Sequence, residues 1–258
     1  MRFNRHRGLA AFMAGCLLLA GCTRAVPSQS RSGLLLDTTV TITVYHSQPA
    51  PILDACFRQI ADFERLFSRT LEGSDVWNLN HAQGQPVTVS EETARLLRLA
   101  LDYADNSDGA LDVTIAPVSS LWDFKAADPA VPAAEELKRA AAHVNWKNLR
   151  LEGRTAQLLD KEMAVDLGAV AKGYIADRLE ESLRGQGVTS ALINLGGNIV
   201  VLGDKNGKAW QVGIQSPFDE EALAATLEVR DKTVVTSGTY ERSFRKNGVL
   251  YHHILDPR

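Results

Sequence analysis

Cysteine is nearly absent from this chain, with 3 in 258 residues, at Cys16, Cys22 and Cys56. No Cys-x-x-Cys pair occurs, so disulfides are not the stabilising device and a thiolate zinc site is unsupported. Cys56 falls on the apolar face of a predicted helix and reads as a buried small hydrophobe rather than a nucleophile. A Gly-x-Gly-x-x-Gly loop is also missing, since Gly185-Gln-Gly187 has no third glycine in place, as are a Gly-x-Ser-x-Gly elbow, a Walker loop and His-Glu-x-x-His. Serine-hydrolase and zinc-hydrolase readings lose their support with them. The uncharged apolar run from Gly8 to Gly21 spans 14 residues, short of the roughly 20 that cross a bilayer. Charge of one sign is scarce as well: the net charge is −3, which excludes an electrostatic nucleic-acid binder.

What is present begins at the N-terminus, where Arg2, Arg5 and Arg7 precede that apolar run. This is the pattern of a signal peptide. The run ends in Leu19-Ala20-Gly21-Cys22, which resembles a bacterial lipoprotein box. The expectation is cleavage before Cys22, lipidation of that cysteine, a short polar Pro/Ser-containing tether, and a folded domain held on the outer side of a membrane. Residues 1–21 then form the signal, 22–33 the anchor and tether, and 34–258 the domain. The alternative is an ordinary secreted protein with a cysteine at that place by chance. Removing residues 1–21 takes away three arginines and no acids, so the formal charge goes from −3 to −6.

Thr38–Tyr45 alternates Thr with Val and Ile as a strand does, and Pro49 and Pro51 interrupt it. Cys56, Ile60, Phe63 and Phe67 follow helical spacing. Ser90 with Glu91 and Glu92 starts a helix that Leu96, Leu97, Ala100 and Tyr103 carry to Asn106. A polar helix is expected over 132–142. Short β-rich runs are expected at 156–159, 191–195, 199–202, 210–214, 223–229, 233–236 and 251–255. Helices interspersed with hairpin-connected strands argue for an α+β fold with mixed or antiparallel sheets and packed helices.

The most informative stretch is Asp166-Leu-Gly-Ala-Val-Ala-Lys172-Gly-Tyr-Ile-Ala-Asp177. It follows an apparent strand end at Ala164-Val165 and opens a helix whose face is Ala171, Ile175, Leu179 and Leu183, stopped by Gly185 and Gly187. A helix start near Gly168 offers free N–H groups and the positive end of a dipole, and Lys172 adds a full charge. That suits a phosphate, with Asp166 as an anionic contact for a metal ion. The same residues also read as a cap, an eased turn and a solvated lysine. Asp112 in Asp108-Gly-Ala-Leu-Asp112-Val-Thr114 is available to a hydroxyl or amide, or is simply a turn residue. Asn194-Leu-Gly-Gly-Asn198 is a ligand approach or a tight hairpin. Thr236-Ser237-Gly238 with Tyr240-Glu-Arg242 puts hydroxyls and an arginine in a loop, or is simply a solvated turn. His252-His253 is the acid/base candidate, and in a strand the two would face opposite ways.

In order, these segments resemble the ApbE family, the FAD:protein FMN transferases. The resemblance rests on Phe67-Ser68 with Ser74-Asp75 and Leu79-Asn80, on Gly109-Ala-Leu-Asp112-Val-Thr114 with Pro117 and Leu121-Trp122, and on Asp166 through Tyr174. It continues through Asn194–Asn198, Ser237-Gly238 with Tyr240-Glu-Arg242, and Tyr251-His-His-Ile-Leu-Asp-Pro257. It implies an α+β domain with two lobes around a flavin-binding cleft. By resemblance, Ala110, Leu111, Asp112, Asp166, Lys172 and Ile254 contact FAD, the Ala169 carbonyl ligates Mg²⁺, and the His252-His253 pair holds the catalytic histidine, with His253 favoured.

The implied reaction is Mg²⁺-dependent phosphoryl transfer. A threonine of an acceptor flavoprotein subunit attacks the FMN-side phosphorus of FAD and AMP leaves. The implied setting is a lipid-anchored protein facing the periplasm from the inner or outer membrane, with no nucleic-acid partner. A Mg²⁺-dependent FAD pyrophosphatase and a non-catalytic FAD-binding lipoprotein are the alternatives. Two departures stand out. Leu36-Asp37-Thr38 occupies a Met-Gly-Thr position, so no flavin contact is carried there. The sequence stops at Arg258 where the family continues with a Thr-Gly turn and further Mg²⁺ ligands, so the expectation is a C-terminally truncated sequence.

Overall fold

The computed structural model describes residues 26–219 and 221–257. The predicted signal segment, Cys22 and Arg258 lie outside the described residues.

The chain opens with a hairpin, β1 (Ser28–Leu35) and β2 (Thr38–Tyr45). Leu36 and Asp37 both take φ 56° in the connecting turn, the left-handed pair of a two-residue hairpin loop. Helix α1 (Pro49–Phe67) carries proline within its first two positions, where the missing N–H costs nothing, so Pro49 and Pro51 open this helix as well as ending the strand. Then come α2 (Asp75–Asn80), β3 (Val87–Thr88), α3 (Glu91–Asn106), α4 (Ala116–Ser119) and α5 (Ala134–Ala141). The side-chain oxygens of Ser74 and Ser90 cap α2 and α3, accepting from the N–H groups of Trp77 and Thr93. A short hairpin, β4 (Leu149–Glu152) and β5 (Thr155–Leu158), precedes the long helix α6 (Gly168–Gly185). The strands β6 (Ser190–Leu195), β7 (Asn198–Leu202), β8 (Trp210–Gln215), β9 (Leu223–Val229), β10 (Lys232–Val235), β11 (Ser243–Lys246) and β12 (Val249–His252) follow.

The central sheet has five strands in the order β1-β2-β6-β7-β10, all antiparallel. The alternation in β2 points Val40, Ile42 and Val44 into the core, where they are fully buried, and leaves its threonines on the other face. Ile60 of α1 and Ile175, Leu179 and Leu183 of α6 are buried in the same cluster, each worth about 1.5–3 kcal/mol of transfer free energy. Helix α6 is thus anchored along its length, and its N-terminal turn is delivered to one end of the sheet.

Two expectations are corrected. The segment read as a flexible tether is largely strand: Ser28 to Gly33 pair with Tyr45 to Val40, and hydroxyl contacts from Ser30 to Thr43 (2.7 Å) and Ser32 to Thr41 (2.9 Å) tie it down. Polar composition there marks an edge strand, which tolerates serine and arginine facing solvent. The run expected as a strand over 251–255 is instead the end of a hairpin. Strand β12 stops at His252, and β11, which the sequence reading missed, is its partner.

The candidate functional site at the start of helix α6

Asp166 enters the site already fixed. Its N–H donates to the Val113 carbonyl (2.8 Å), and Ile115 bridges in parallel to Ala164, so the Asp112 and Asp166 motifs run side by side although far apart in sequence. One carboxylate oxygen of Asp166 accepts the Gly168 N–H (2.8 Å) and the other meets the Arg69 guanidinium at 3.2 Å. Asn80 holds the residue before it from both sides, accepting from the Val165 N–H at 2.7 Å and donating to its carbonyl at 2.9 Å. The Asp166 side chain therefore caps the turn into α6 and ion-pairs with α1's C-terminal loop.

Asp112 is committed to the protein itself. One of its oxygens accepts the Thr114 N–H (2.8 Å) and hydroxyl (2.6 Å), and the other accepts the Trp146 N–H (2.9 Å). The buried Thr114 hydroxyl in turn accepts the Asn145 N–H at 2.9 Å. Asp112 thus shapes the loop carrying Ala110 and Leu111, whose N–H groups donate to the Ser107 carbonyl (3.1 Å) and hydroxyl (3.0 Å). Asp112→Ala orphans three donors at once, and an expected loss of about 2–4 kcal/mol in denaturant unfolding checks this role.

Lys172 sits at the start of the second turn of α6, half-buried, and among the described residues no ion pair reaches it. Burial pulls its pKa below the ordinary lysine range, and repulsion from Arg242 adds to this. Its position is electrostatically unfavourable on balance: it is partly desolvated, near the positive end of a helix and beside a second cation, which the nearby Glu241 carboxylate offsets only in part. The Arg242 carbonyl accepts the His253 N–H at 3.0 Å. His253 is exposed over much of its surface, and partial desolvation first, with repulsion from Arg242 and His252 and against the pull of Glu241, holds its imidazole below its usual pKa, which keeps it neutral and able to accept a proton near pH 7. His252 ends β12, with Nδ1 buried and without a partner among the described residues. Ile254 is exposed.

Two turns close in around this spot. A Cβ on Gly196, at φ 59°, would lie 2.2 Å from the Thr38 hydroxyl, so glycine is what lets the β6–β7 turn approach the β1–β2 turn. Asn198, buried, lies 3.7 Å from where a Cβ on Gly173 would be, next to Lys172. The structure thus places Arg242 near both Lys172 and His253 and sets Asp166 in the turn that leads into α6. Sequence reading missed Arg69, Lys125 and Asp37 as parts of this region. Arg69 directly follows the quoted Phe67-Ser68, but only the fold reveals its carboxylate partner 97 residues on.

A divalent cation is fitted less well. Among the described residues no group of three or more His, Cys, Asp or Glu side chains comes together to hold a metal ion. The Ala169 carbonyl belongs to the positive end of α6, a poor place for a cation without anionic ligands. The described residues do not by themselves fit Mg²⁺.

The ApbE family profile matches residues 36–258. The chain belongs to the ApbE family. It is 37% identical over 233 residues to the FAD:protein FMN transferase of Klebsiella pneumoniae (strain 342), covering 89% of this chain and 72% of that one. It is 35% identical over 254 residues to the FAD:protein FMN transferase of Treponema pallidum (strain Nichols), covering 90% and 70%. Among solved structures it resembles the ApbE protein of Thermotoga maritima, with a TM-score of 0.82 and 30% identity over 90% of this chain and 77% of that one. The flavin transferase ApbE of Vibrio cholerae gives a TM-score of 0.79 at 29% identity, with 90% and 77% covered. The α+β ApbE architecture follows from these neighbours and from the antiparallel sheets themselves.

Proposed function

We propose that this ApbE-family transferase moves FMN from FAD to a threonine of an acceptor protein and releases AMP. The observation that carries the reading is Lys172, a half-buried cation with no ion pair among the described residues, one turn into α6 and near Arg242. A site that holds two cations against a helix N-terminus becomes favourable when a multiply charged pyrophosphate arrives. Relatives sharing over a third of the sequence are FAD:protein FMN transferases, and FAD carries such a pyrophosphate.

In the proposed reaction the threonine oxygen forms a bond to the FMN-side phosphorus. The bond from that phosphorus to the bridging oxygen breaks, and AMP departs with the bridging oxygen. His253 takes the hydroxyl proton, while Lys172 and Arg242 balance charge on the phosphoryl oxygens. Asp166, held by Arg69 and the Gly168 N–H, positions the turn that presents Lys172. Mg²⁺, if bound with additional donors, would supply further charge neutralisation. Cys22 is proposed as a lipid anchor that keeps the domain on the periplasmic side of a membrane, near membrane redox subunits that could serve as acceptors.

Incubating the protein with FAD, Mg²⁺ and an acceptor domain bearing an exposed threonine tests this by intact mass. The expected result is an acceptor heavier by one FMN phosphoester, and no change when that threonine is replaced by alanine. Free FMN and AMP with an unmodified acceptor would replace the transferase with a pyrophosphatase.

A further inference from the structure

Asp37 stands at the tip of the β1–β2 hairpin with φ 56°, where glycine or asparagine would sit with less strain. Its carboxylate nevertheless gathers two cations from distant loops. Lys125 Nζ lies 2.6 and 2.7 Å from its two oxygens, and an Arg242 nitrogen lies 2.9 Å from one of them. Arg242 is the cation that also faces Lys172 and whose carbonyl accepts from His253. The ion pairs are not needed to hold these loops together. Trp122 and Phe124, which precede Lys125, already pack with tilted rings against Phe244 and Tyr251 of the β11–β12 hairpin at centroid distances of 5.7–6.3 Å. The three charged side chains are about half exposed, at 61% for Asp37, 63% for Lys125 and 46% for Arg242, so the network adds little to stability. What it does is hold two cations ready at the edge of the Lys172 site with a single negative charge, fewer than a pyrophosphate carries.

We propose that Asp37 is a built-in surrogate anion, displaced when the substrate's pyrophosphate arrives, so that Lys125 and Arg242 exchange a carboxylate for phosphate oxygens and Asp37 sets the affinity for dinucleotide. This rests on the FAD reading above. Asp37 is a positioning residue: it acts through Lys125 and Arg242. The exchange favours a ligand with two linked phosphates over one with a single phosphate, because only the former outbids the carboxylate for both cations. After transfer, Asp37 recaptures them and opposes rebinding of AMP.

Equilibrium binding of FAD, and of inorganic pyrophosphate as its competitor, to the full protein and to Asp37→Asn and Lys125→Met variants tests the exchange. Asparagine keeps the turn's backbone and removes the charge. Asp37→Asn is expected to bind both ligands about two- to fivefold tighter, and Lys125→Met about two- to fivefold more weakly, on the scale of exposed ion pairs. A merely structural bridge would be broken equally by either change, so both variants moving in the same direction, or neither moving, overturns the exchange while leaving the FAD reading intact. Wild-type protein that binds neither FAD nor pyrophosphate overturns both.

Discussion

Lys172→Met is expected to lower kcat/KM for FAD by about 10²–10³, the usual cost of removing one preorganised group that stabilises transition-state charge. The same substitution is expected to stabilise the ligand-free protein by about 0.5–2 kcal/mol, as stabilising substitutions at functional sites commonly do. The two effects share one cause. Lys172 is half-buried near the positive end of α6 and faces Arg242, so an empty site bears its charge as a penalty and an occupied site uses it. Thermal melts without FAD and steady-state kinetics with FAD read the two halves. The pH dependence has a definite sign. Because folding depresses the Lys172 pKa, the unfolded chain binds more protons just below the ordinary lysine value. Wild-type stability therefore rises with pH through that window relative to Lys172→Met. A variant that loses stability and keeps its kinetics would make Lys172 a structural residue.

His253→Ala is expected to slow FMN transfer by about 10²–10⁴, the range for losing a general base, while FAD binding is unchanged. Its depressed pKa, caused by partial desolvation and by Arg242, places the acidic limb of the wild-type rate profile below the ordinary histidine value of about 6.5. Transfer rates across pH with saturating FAD check both. His252→Ala serves as the comparison, since His252 lies within β12 while His253 follows it and bonds to the Arg242 backbone. Equal losses from both substitutions would point to the hairpin's integrity rather than to one imidazole.

Much of the frame was legible because it obeys local rules. Thr38–Tyr45 alternates and is β2, Ser90 caps α3, and Gly168 starts α6. Polar Ser28–Gly33 misled because composition alone cannot separate an edge strand from a tether; what decides is the hairpin pairing, with hydroxyl contacts across it to Thr41 and Thr43. The candidate site was half legible. Lys172 and His253 announced themselves by residue type and by their place in motifs. That Lys172 meets Arg242, that Asp112 spends a carboxylate oxygen on Trp146, and that Asn80 brackets Val165 are consequences of pairing across 34 to 85 residues, which no short-range pattern encodes. Asp37 was seen only as a departure from a glycine; its meaning needed Lys125 and Arg242 beside it.

The most direct test of the account is a single turnover. Protein preloaded with stoichiometric FAD is mixed with a threonine-bearing acceptor and quenched over time, and AMP and acceptor-bound flavin are measured in the same samples. The account predicts that both appear together in equal amounts and that Lys172→Met and His253→Ala slow both alike. AMP appearing with free FMN, or flavin reaching the acceptor without AMP, would contradict it.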